Sequence, residues 1–278
     1  MSTFSSPIGQ LSDEDSRLLK RLSELSSRAE NASPAFSPYL TPREQYLASH
    51  LLPKDDTIRF FWGGYPDAER KILCFLPSYY AFRFSETPDE AMLASLVFEE
   101  LSPYLSAVLI RGSGYVSLSH RDYMGAILSL GLDRSVVGDI LVSEQSATVI
   151  LTENAARFLK DTLTGIGRDK VRVTDTPLPT SFERTFEKVS GTVASARLDC
   201  VVAELANTSR EKAKELILAG QIEHHYFPAS ACDAPVTAGD TISIRKNPKI
   251  RAGKFLIDSL DDKTAKGRLK LVGRKYLT

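Results

Sequence analysis

"ARLDCVVAELANTSREKAKELILAGQI", from Ala196 to Ile222, is the stretch on which the reading of this 278-residue chain turns. Leu198, Val201, Val202 and Leu205 share one helical face, with Asp199 near the start of the run, so the first half reads as a short amphipathic helix. Thr208 and Glu211 have the spacing of a capping box and Gly220 supplies a stop, which predicts a second helix with Ala213, Leu216 and Ile217 as its buried stripe. Arg210 and Lys214, four apart, share a neighbouring face, and Lys212 lies on the other flank. Arg197 precedes the first helix; Arg245 and Lys246 follow the turn and alternating strand of "PVTAGDTISIR". Arg and Lys suit phosphate because they carry fixed charge and several donors, and Ser209 adds a hydroxyl beside the backbone donors of a helix N-terminus. The plainer reading of these cations, taken alone, is a solvated charged face.

The charge distribution points the same way. Net charge is zero, but from Ser190 onward there are 15 Lys and Arg against 10 Asp and Glu, while residues 1–189 carry 20 against 25. A basic segment on an acidic body is the pattern of a nucleic-acid-binding module attached to a second part. Three widely spaced cysteines (Cys74, Cys200, Cys232) form no disulfide framework and fit a reducing compartment. The sequence has no apolar run of transmembrane length, and its N-terminus lacks the layout of a signal peptide. The expectation is a cytoplasmic protein with no membrane partner.

Upstream, "LSDEDSRLLKRLSELSSRAE" places Leu11, Leu18, Leu22 and Leu25 on one stripe, and "TPREQYLASHLL" offers Thr41 as N-cap and Pro42 at the first helical position, with Pro53 as terminator. From about Asp55 to Pro179, strand signals ("IRFFWGGYP", "KILCFLP", "SAVLIRG", "YVSLS", "GDILV", "ATVILT", "KVRVTD") alternate with the helices of "HRDYMGAILSLG" and "ENAARFLKDTLTGIG". This mixed order predicts an α+β sandwich of the split βαβ kind, and the Pro- and Thr-rich "TDTPLPTS" reads as a linker. The expected division is a helical region over 1–54, an α+β middle domain over 55–180 and a basic domain over 190–278.

The opening stretch followed by "VTAGDTISIR" resembles the S-four RNA-binding domain: Arg-Leu-Asp opening one helix, Ser-Arg opening the next, Leu-Ile-x-x-Gly, and later Gly-Asp-x-Ile. The resemblance implies a helix pair lying on structured RNA, with contacts from Arg197, Ser209, Arg210, Lys212, Lys214 and the region of Gln221 to His225. Gln221 stands where a cation is common, and "EHHYFPAS" replaces the usual Val-Asn-Gly turn. His224 and His225, mostly neutral at pH 7, attract phosphate more weakly than a cation. Farther out, "HRDYMGAILSLGLDRSVVGDILV", "SPYLTPREQ", "VASARLD" and the tail "TAKGRLKL" together resemble the bacterial YlmH family. That resemblance implies a middle domain similar to the RNA-recognition-motif fold, ribosome and tRNA association in rescue of stalled large subunits, and a looser link to cell division through gene neighbourhood. Structured RNA (rRNA, tRNA) and the large ribosomal subunit are the implied partners, and DNA is not. "KNPKIRAGKF" is longer than the Gly-rich turn of relatives, and its Lys249, Arg251 and Lys254 are expected to extend the basic surface.

Other motifs weigh less. The His-Arg-Asp of residues 120–122 opens the catalytic loop of a kinase, but Ile127 stands where that loop needs Asn, and no Gly-rich phosphate loop is present. Its expected duty is structural, with Asp122 accepting hydrogen bonds at a helix N-terminus and Arg121 pairing locally. "RGSGYVSL" matches the RNA-recognition-motif signature at Arg111, Gly112, Gly114, Tyr115 and Val116 but lacks two of its aromatics, so a Gly-Ser-Gly hairpin turn explains it more simply. "FFWGGYP" reads as half-buried strand aromatics before a stacking platform. Arg-Leu-Asp also surrounds the catalytic Asp of pseudouridine synthases, but the context of Asp199 is the helix pair. His224 and His225 have no Cys or acidic partner at metal-ligand spacing in sequence. The expectation is a non-enzyme that needs no metal or cofactor; an RNA-modifying enzyme with an active site in the middle domain and a protein–protein adaptor are the alternatives. Arg210 and Lys214 lie beside the buried stripe, so replacing both with Ala is expected to change stability by no more than about 0.5 kcal/mol.

Overall fold

"ILCFL", the strand Ile72–Leu76, is buried at every position because it has a layer on each side. Leu73 and Phe75 pack with two helices, whereas Ile72, Cys74 and Leu76 face a second sheet. The computed structural model in which this is seen describes residues 11–31, 33–83, 92, 93, 95, 104–182, 185–246, 250–261, 264, 265 and 267–276. The chain divides into two units, Ser12–Phe182 and Glu183–Thr278, with Leu11 assigned to the latter.

In the first unit, helices α1 (Asp13–Asn31) and α2 (Pro42–Leu51) cover one face of a three-stranded antiparallel sheet of β1 (Ala35–Phe36), β2 (Ile58–Trp62) and β3 (Ile72–Leu76), in the order β1-β3-β2. Leu18, Leu22 and Leu25 form the contact stripe of α1, while Leu11 precedes the helix and is exposed. α2 starts as expected: Thr41 Oγ1 accepts from Glu44 N and Glu44 Oε2 accepts from Thr41 N at 2.6 Å, a capping box with Pro42 at the first position. Arg43 clamps Asp15 of α1 with two bonds of 2.6 and 2.8 Å.

The second sheet of this unit comprises β4 (Leu105–Arg111), β5 (Val137–Val142), β6 (Ser146–Thr152) and β9 (Arg172–Thr176), with α3 (His120–Ser129) after β4 and α4 (Glu153–Thr162) after β6. A two-stranded hairpin, β7 (Gly165–Ile166) and β8 (Asp169–Lys170), sits between α4 and β9. The order β5-β6-β4-β9, antiparallel throughout, with one helix after the first strand and one after the third, is the expected split βαβ arrangement within an α+β fold. "YVSLS" is a loop rather than a strand, because both edges of β4 are already paired, to β6 and to β9. "TDTPLPTS" is not a simple linker: it contains the end of β9, and Leu178 packs into the core of the first unit.

One face of this sheet carries Val108, Ile110, Val149 and Leu151 under Tyr123, Ile127 and Leu159 of the helices. The other carries Leu105, Leu141 and Ile150, packed on Phe60, Tyr65, Ile72, Cys74 and Leu76. "FFWGGYP" is therefore core, with Phe60 and Tyr65 buried. Asp139 of β5 locks the two sheets together, accepting from Tyr65 OH at 2.6 Å, Glu69 N at 2.7 Å and Arg70 N at 2.9 Å.

The second unit is a six-stranded antiparallel sheet of β10 (Phe186–Val193), β11 (Ile222–His224), β12 (Phe227–Pro228), β13 (Thr241–Ile244), β14 (Gly253–Ser259) and β15 (Leu269–Tyr276), in the order β10-β15-β14-β13-β11-β12. Helices α5 (Leu198–Leu205) and α6 (Arg210–Leu218) cover it through the anticipated Leu198, Val201, Val202, Leu205, Ala213, Leu216 and Ile217, which pack on Ile242, Ile244, Phe255 and Leu271.

Replacing Asp139 with Ala removes the acceptor of the buried Tyr65 hydroxyl and of two part-buried backbone amides. Urea unfolding of the Asp139→Ala variant should show a loss of at least about 2 kcal/mol in the first unit, since each unsatisfied buried polar group costs on the order of 1–3 kcal/mol. An unchanged midpoint would show that the lock contributes nothing.

Candidate nucleic-acid interface

α5 begins inside the protein. Its first amides are taken by loop carbonyls, Leu198 N by Ala234 O and Asp199 N by Cys232 O, both at 2.9 Å, so Asp199 enters the helix fully buried. A buried carboxylate needs partners, and two guanidiniums supply them. Arg197 donates from Nε and Nη2 at 3.3 Å, and Arg210, from the first turn of α6, donates from Nε at 3.0 Å with Nη2 at 2.9 Å. Burial pushes the Asp199 carboxyl up, but the hydrogen bonds from Arg197 and Arg210 outweigh it and hold the group below its usual range. The two arginine side chains stay 41% and 45% exposed, so each presents its remaining N–H groups to solvent. Two cations on one carboxylate leave a net positive charge with fixed geometry at the start of the helix pair.

The helix start differs from the expected one by one residue. Ser209, not Thr208, is the N-cap of α6, its Oγ accepting from Lys212 N at 3.2 Å. Lys212 also meets Glu215 at 2.7 Å in an exposed i,i+3 pair. Lys214 lies one turn beyond Arg210, exposed. At the other end of α6, beyond the Gly220 turn, Arg245 N donates to Gln221 O at 3.0 Å, which brings Gln221, Arg245 and Lys246 together. Arg245 and Lys246 are exposed, and Arg245 lies 4.0 Å from Glu223. The expected contacts thus fall into two groups at the ends of a helix about 13 Å long, with Lys214 between them.

The two histidines belong to neither group. His224 is only 6% exposed, so its expected place on the RNA surface is corrected by burial. His224 Nε2 lies 2.7 Å from Asp240 Oδ2 and His225 Nε2 3.0 Å from Asp240 Oδ1, with the rings stacked 4.7 Å apart. Thr237 bonds Asp240 through its amide at 3.1 Å and its hydroxyl at 3.0 Å. The acidic partner that the local sequence lacks comes from the β12–β13 loop, and among the described residues this is the cluster whose ligand atoms lie close enough, within 4.8 Å, to hold a metal. Each carboxylate oxygen already takes two hydrogen bonds, so the arrangement serves as a latch. It holds the β11–β12 turn, where His225 (φ 49°) and Tyr226 (φ 69°) adopt the left-handed conformation at both central positions of a two-residue hairpin. Burial raises the Asp240 carboxyl, but bonds from His224, His225 and Thr237 hold it far below the usual range.

The segment after β13 does not extend the cationic surface as expected. Arg251 donates to Leu205 O at 2.7 Å and Glu204 O at 3.2 Å, closing the C-terminus of α5. Lys254 lies over the rings of Tyr226 and Tyr276, 5.0 and 4.6 Å from their centroids. Lys249 lies outside the described residues. In the first unit, Asp122 Oδ2 accepts from Ser119 N at 2.8 Å and from Ser119 Oγ at 2.7 Å, the helix cap expected of it, whereas Arg121, expected to pair locally, makes no ion pair among the described residues.

The Asp199 pairing revises the expectation for Arg210. Arg210→Ala should lower stability in urea by about 1–2 kcal/mol, the worth of hydrogen bonds to a charged group, whereas Lys214→Ala stays within about 0.5 kcal/mol. Equal effects of the two variants would remove the clamp from the account. Acid sensitivity follows from the carboxyl shifts. Asp199 and Asp240 sit below their unfolded value of about 3.9, so the stability they confer is complete above that pH and is lost as pH falls through the folded values. An Asp199→Asn variant should lose less stability than the parent between about pH 5 and pH 2.

Comparison with known proteins adds a family. A family model described as the putative RNA-binding domain in YlmH matches residues 107–180, which span the sheet of β4, β5, β6 and β9 with its two helices. The curated "Ribosome-associated protein quality control protein P2" of Bacillus subtilis (strain 168) is 30% identical over 239 residues, covering 84% of this chain and 84% of that protein. A solved structure titled "Cell division protein ylmH from Streptococcus pneumoniae" is similar at 22% identity and a TM-score of 0.47, covering 61% of this chain and 95% of that one. By a relative that spans most of its length and a family model over its four-stranded sheet, the chain belongs to the YlmH family.

Proposed function

We propose that this chain is a non-enzymatic RNA-binding protein that acts on the ribosome, and that the unit from Glu183 onward is an S-four-type module for structured rRNA or tRNA. The observation that carries the proposal is the pair of arginines, Arg197 and Arg210, fixed by the buried Asp199 at the mouth of the helix pair. Guanidiniums held in advance lose little freedom on meeting phosphate, and Ser209, Lys212 and Lys214 continue donors along the same helix. Gln221, Arg245 and Lys246 stand one helix length away and would take a second stretch of backbone. The ribosome enters through the similarity to the Bacillus relative, a ribosome-associated quality control protein. Rescue of stalled large subunits is the role this supports.

The same geometry favours binding over chemistry. Asp199, the residue that a modifying enzyme of the pseudouridine type would use, is held by two cations and is fully buried.

The test uses the full chain and an RNA hairpin. Affinity should fall steeply with salt, and a Lys212→Ser, Lys214→Ser double variant should reduce the salt slope by about 1.5, two phosphate contacts' worth of released counterions. The same variant should co-sediment less with purified large ribosomal subunits. An unchanged slope would take the helix pair out of the RNA surface, and absence of the unaltered protein from the subunit pellet would overturn the ribosomal assignment.

A further inference from the structure

The four-stranded sheet carries a loop that the helix-pair reading leaves unused. "RGSGYVSL", between β4 and α3, is anchored on two sides: Gly112 N donates to Gln145 O at 3.2 Å, and Ser113 N donates to Asp169 Oδ2 at 3.1 Å, with its hydroxyl on the other oxygen of the same carboxylate. Tyr115 N donates to Ser113 Oγ at 3.3 Å. A Cβ on Gly112 would lie 2.6 Å from Asp169 Oδ2, and Gly114 has φ +86°, so both glycines are required by this path. The anchored loop places Tyr115 at its tip, 95% exposed, beside Val116 at 48%. An exposed aromatic ring held on an anchored loop offers a flat face to a partner at little ordering cost.

The surroundings are cationic. Arg111, the last residue of β4, stands directly opposite Arg172, the first of β9, and like charges in register destabilise a strand pair. Arg168 and Lys170 come from the β7–β8 hairpin whose Asp169 anchors the loop, and Arg121 from the first turn of α3. All five are exposed, and among the described residues none makes an ion pair or a side-chain hydrogen bond. The nearby carboxylates are few: Asp169 is buried on Ser113, Asp122 caps α3, and Glu144 lies in the β5–β6 turn.

The sheet face opposite the helices tapers toward this same end. Across β6, β4 and β9, it passes from Ile150 and Ala107, buried, through Thr148, Leu109 and Thr174 to the cross-strand row Ser146, Arg111 and Arg172. Among these, Arg111 and Arg172 are the exposed positions, and the Tyr115 loop leaves the same end of the sheet, its Gly114 lying against Gln145 of the turn before Ser146.

We propose that this end of the sheet, built from Tyr115, Arg111 and Arg172 with Arg168 and Lys170 alongside, binds single-stranded RNA, one unstacked base lying on the Tyr115 ring and the adjoining phosphates on the arginines. Duplex RNA offers no free base face to an aromatic ring, whereas a splayed strand does. The inference rests on the reading of the chain as an RNA binder but uses a different surface from the helix pair.

The full chain is titrated with a short oligouridylate, which forms no duplex, and separately with an RNA hairpin. Tyr115→Ala should weaken oligouridylate binding at least about fivefold and Tyr115→Phe should restore it, because stacking needs the ring and not the hydroxyl. Arg111→Ser with Arg172→Ser should lower the oligouridylate salt slope by about 1.4, two single-strand phosphates. Tyr115 is fully exposed, so its variants leave the fold intact. Hairpin affinity should stay within twofold in all of these variants and fall with the Lys212→Ser, Lys214→Ser pair. If oligouridylate does not bind, or binds the Tyr115→Ala protein equally, this inference fails while the hairpin result stands. If the Tyr115 and arginine variants weaken the hairpin as much as the single strand, the site is not specific for single strands and the inference also fails. Loss of binding to both RNAs in the unaltered protein would instead remove the RNA-binding reading itself.

Discussion

The four-stranded sheet has two apolar faces, and that constraint organises the first unit. A sheet with helices on one side can leave the other to solvent only if its residues are polar. Leu105, Leu141 and Ile150 are not, so the face must be buried, and the three-stranded sheet from the N-terminal half provides the cover. The cover needs a cover of its own: Leu73 and Phe75 on its outer side require α1 and α2. The N-terminal helices are therefore the last layer of a stack whose first layer is α3 and α4. The same constraint limits function, because a sheet face packed against Phe60, Tyr65 and Cys74 is closed to RNA bases along most of its length. Whatever the middle of the chain recognises must be met at the edges, loops and open end of the sheet.

The second unit solves a different problem, how to bury carboxylates without losing their charge. An unpaired carboxylate in the interior would take up a proton, and a buried pair with poor geometry would lower stability. Asp199 is held by two arginines and Asp240 by two histidines and Thr237, with opposite outcomes for the surface. The partners of Asp199 are arginines with exposed outer edges, so the buried charge fixes a cationic feature. The partners of Asp240 are the buried His224, the half-buried His225 and Thr237, so that carboxylate fixes a turn whose residues lack the glycine that such a backbone usually takes.

Much of this is legible in the sequence alone. Periodicity located the helices because each buries one stripe; Leu198, Val201, Val202 and Leu205 are all core. The α+β class and the split βαβ order followed from strand and helix signals in sequence. What could not be read was pairing across distance. The identity of Asp199 as an anchor depends on Arg210, eleven residues on and on another helix, and the pattern showed Arg210 only as a flank. The Asp240 latch depends on β11 lying beside β13, which places residues from separate turns around one carboxylate. "YVSLS" looked like a strand because its residue types suit one, but no edge of the sheet was left for it. Ser209 in place of Thr208 as the cap is a one-residue boundary shift, which local pattern rarely fixes.

Net charge by segment is a poor guide to where phosphate binds, and this chain shows why. Residues 1–189 are acidic by five charges, a figure that points RNA toward the remainder alone. Yet charge acts over about 8 Å at physiological salt, so a phosphate senses its neighbours rather than a sum over the sequence. Several acidic side chains of the first unit are already committed: Asp15 to Arg43, Asp55 to Arg59, Glu153 to Arg157, Asp175 to Lys160. The cations at the open end of the four-stranded sheet have no such partners among the described residues, and two of them, Arg111 and Arg172, are forced into register by the sheet itself. An acidic total and a cationic site are compatible in one unit because one is a property of composition and the other of strand pairing.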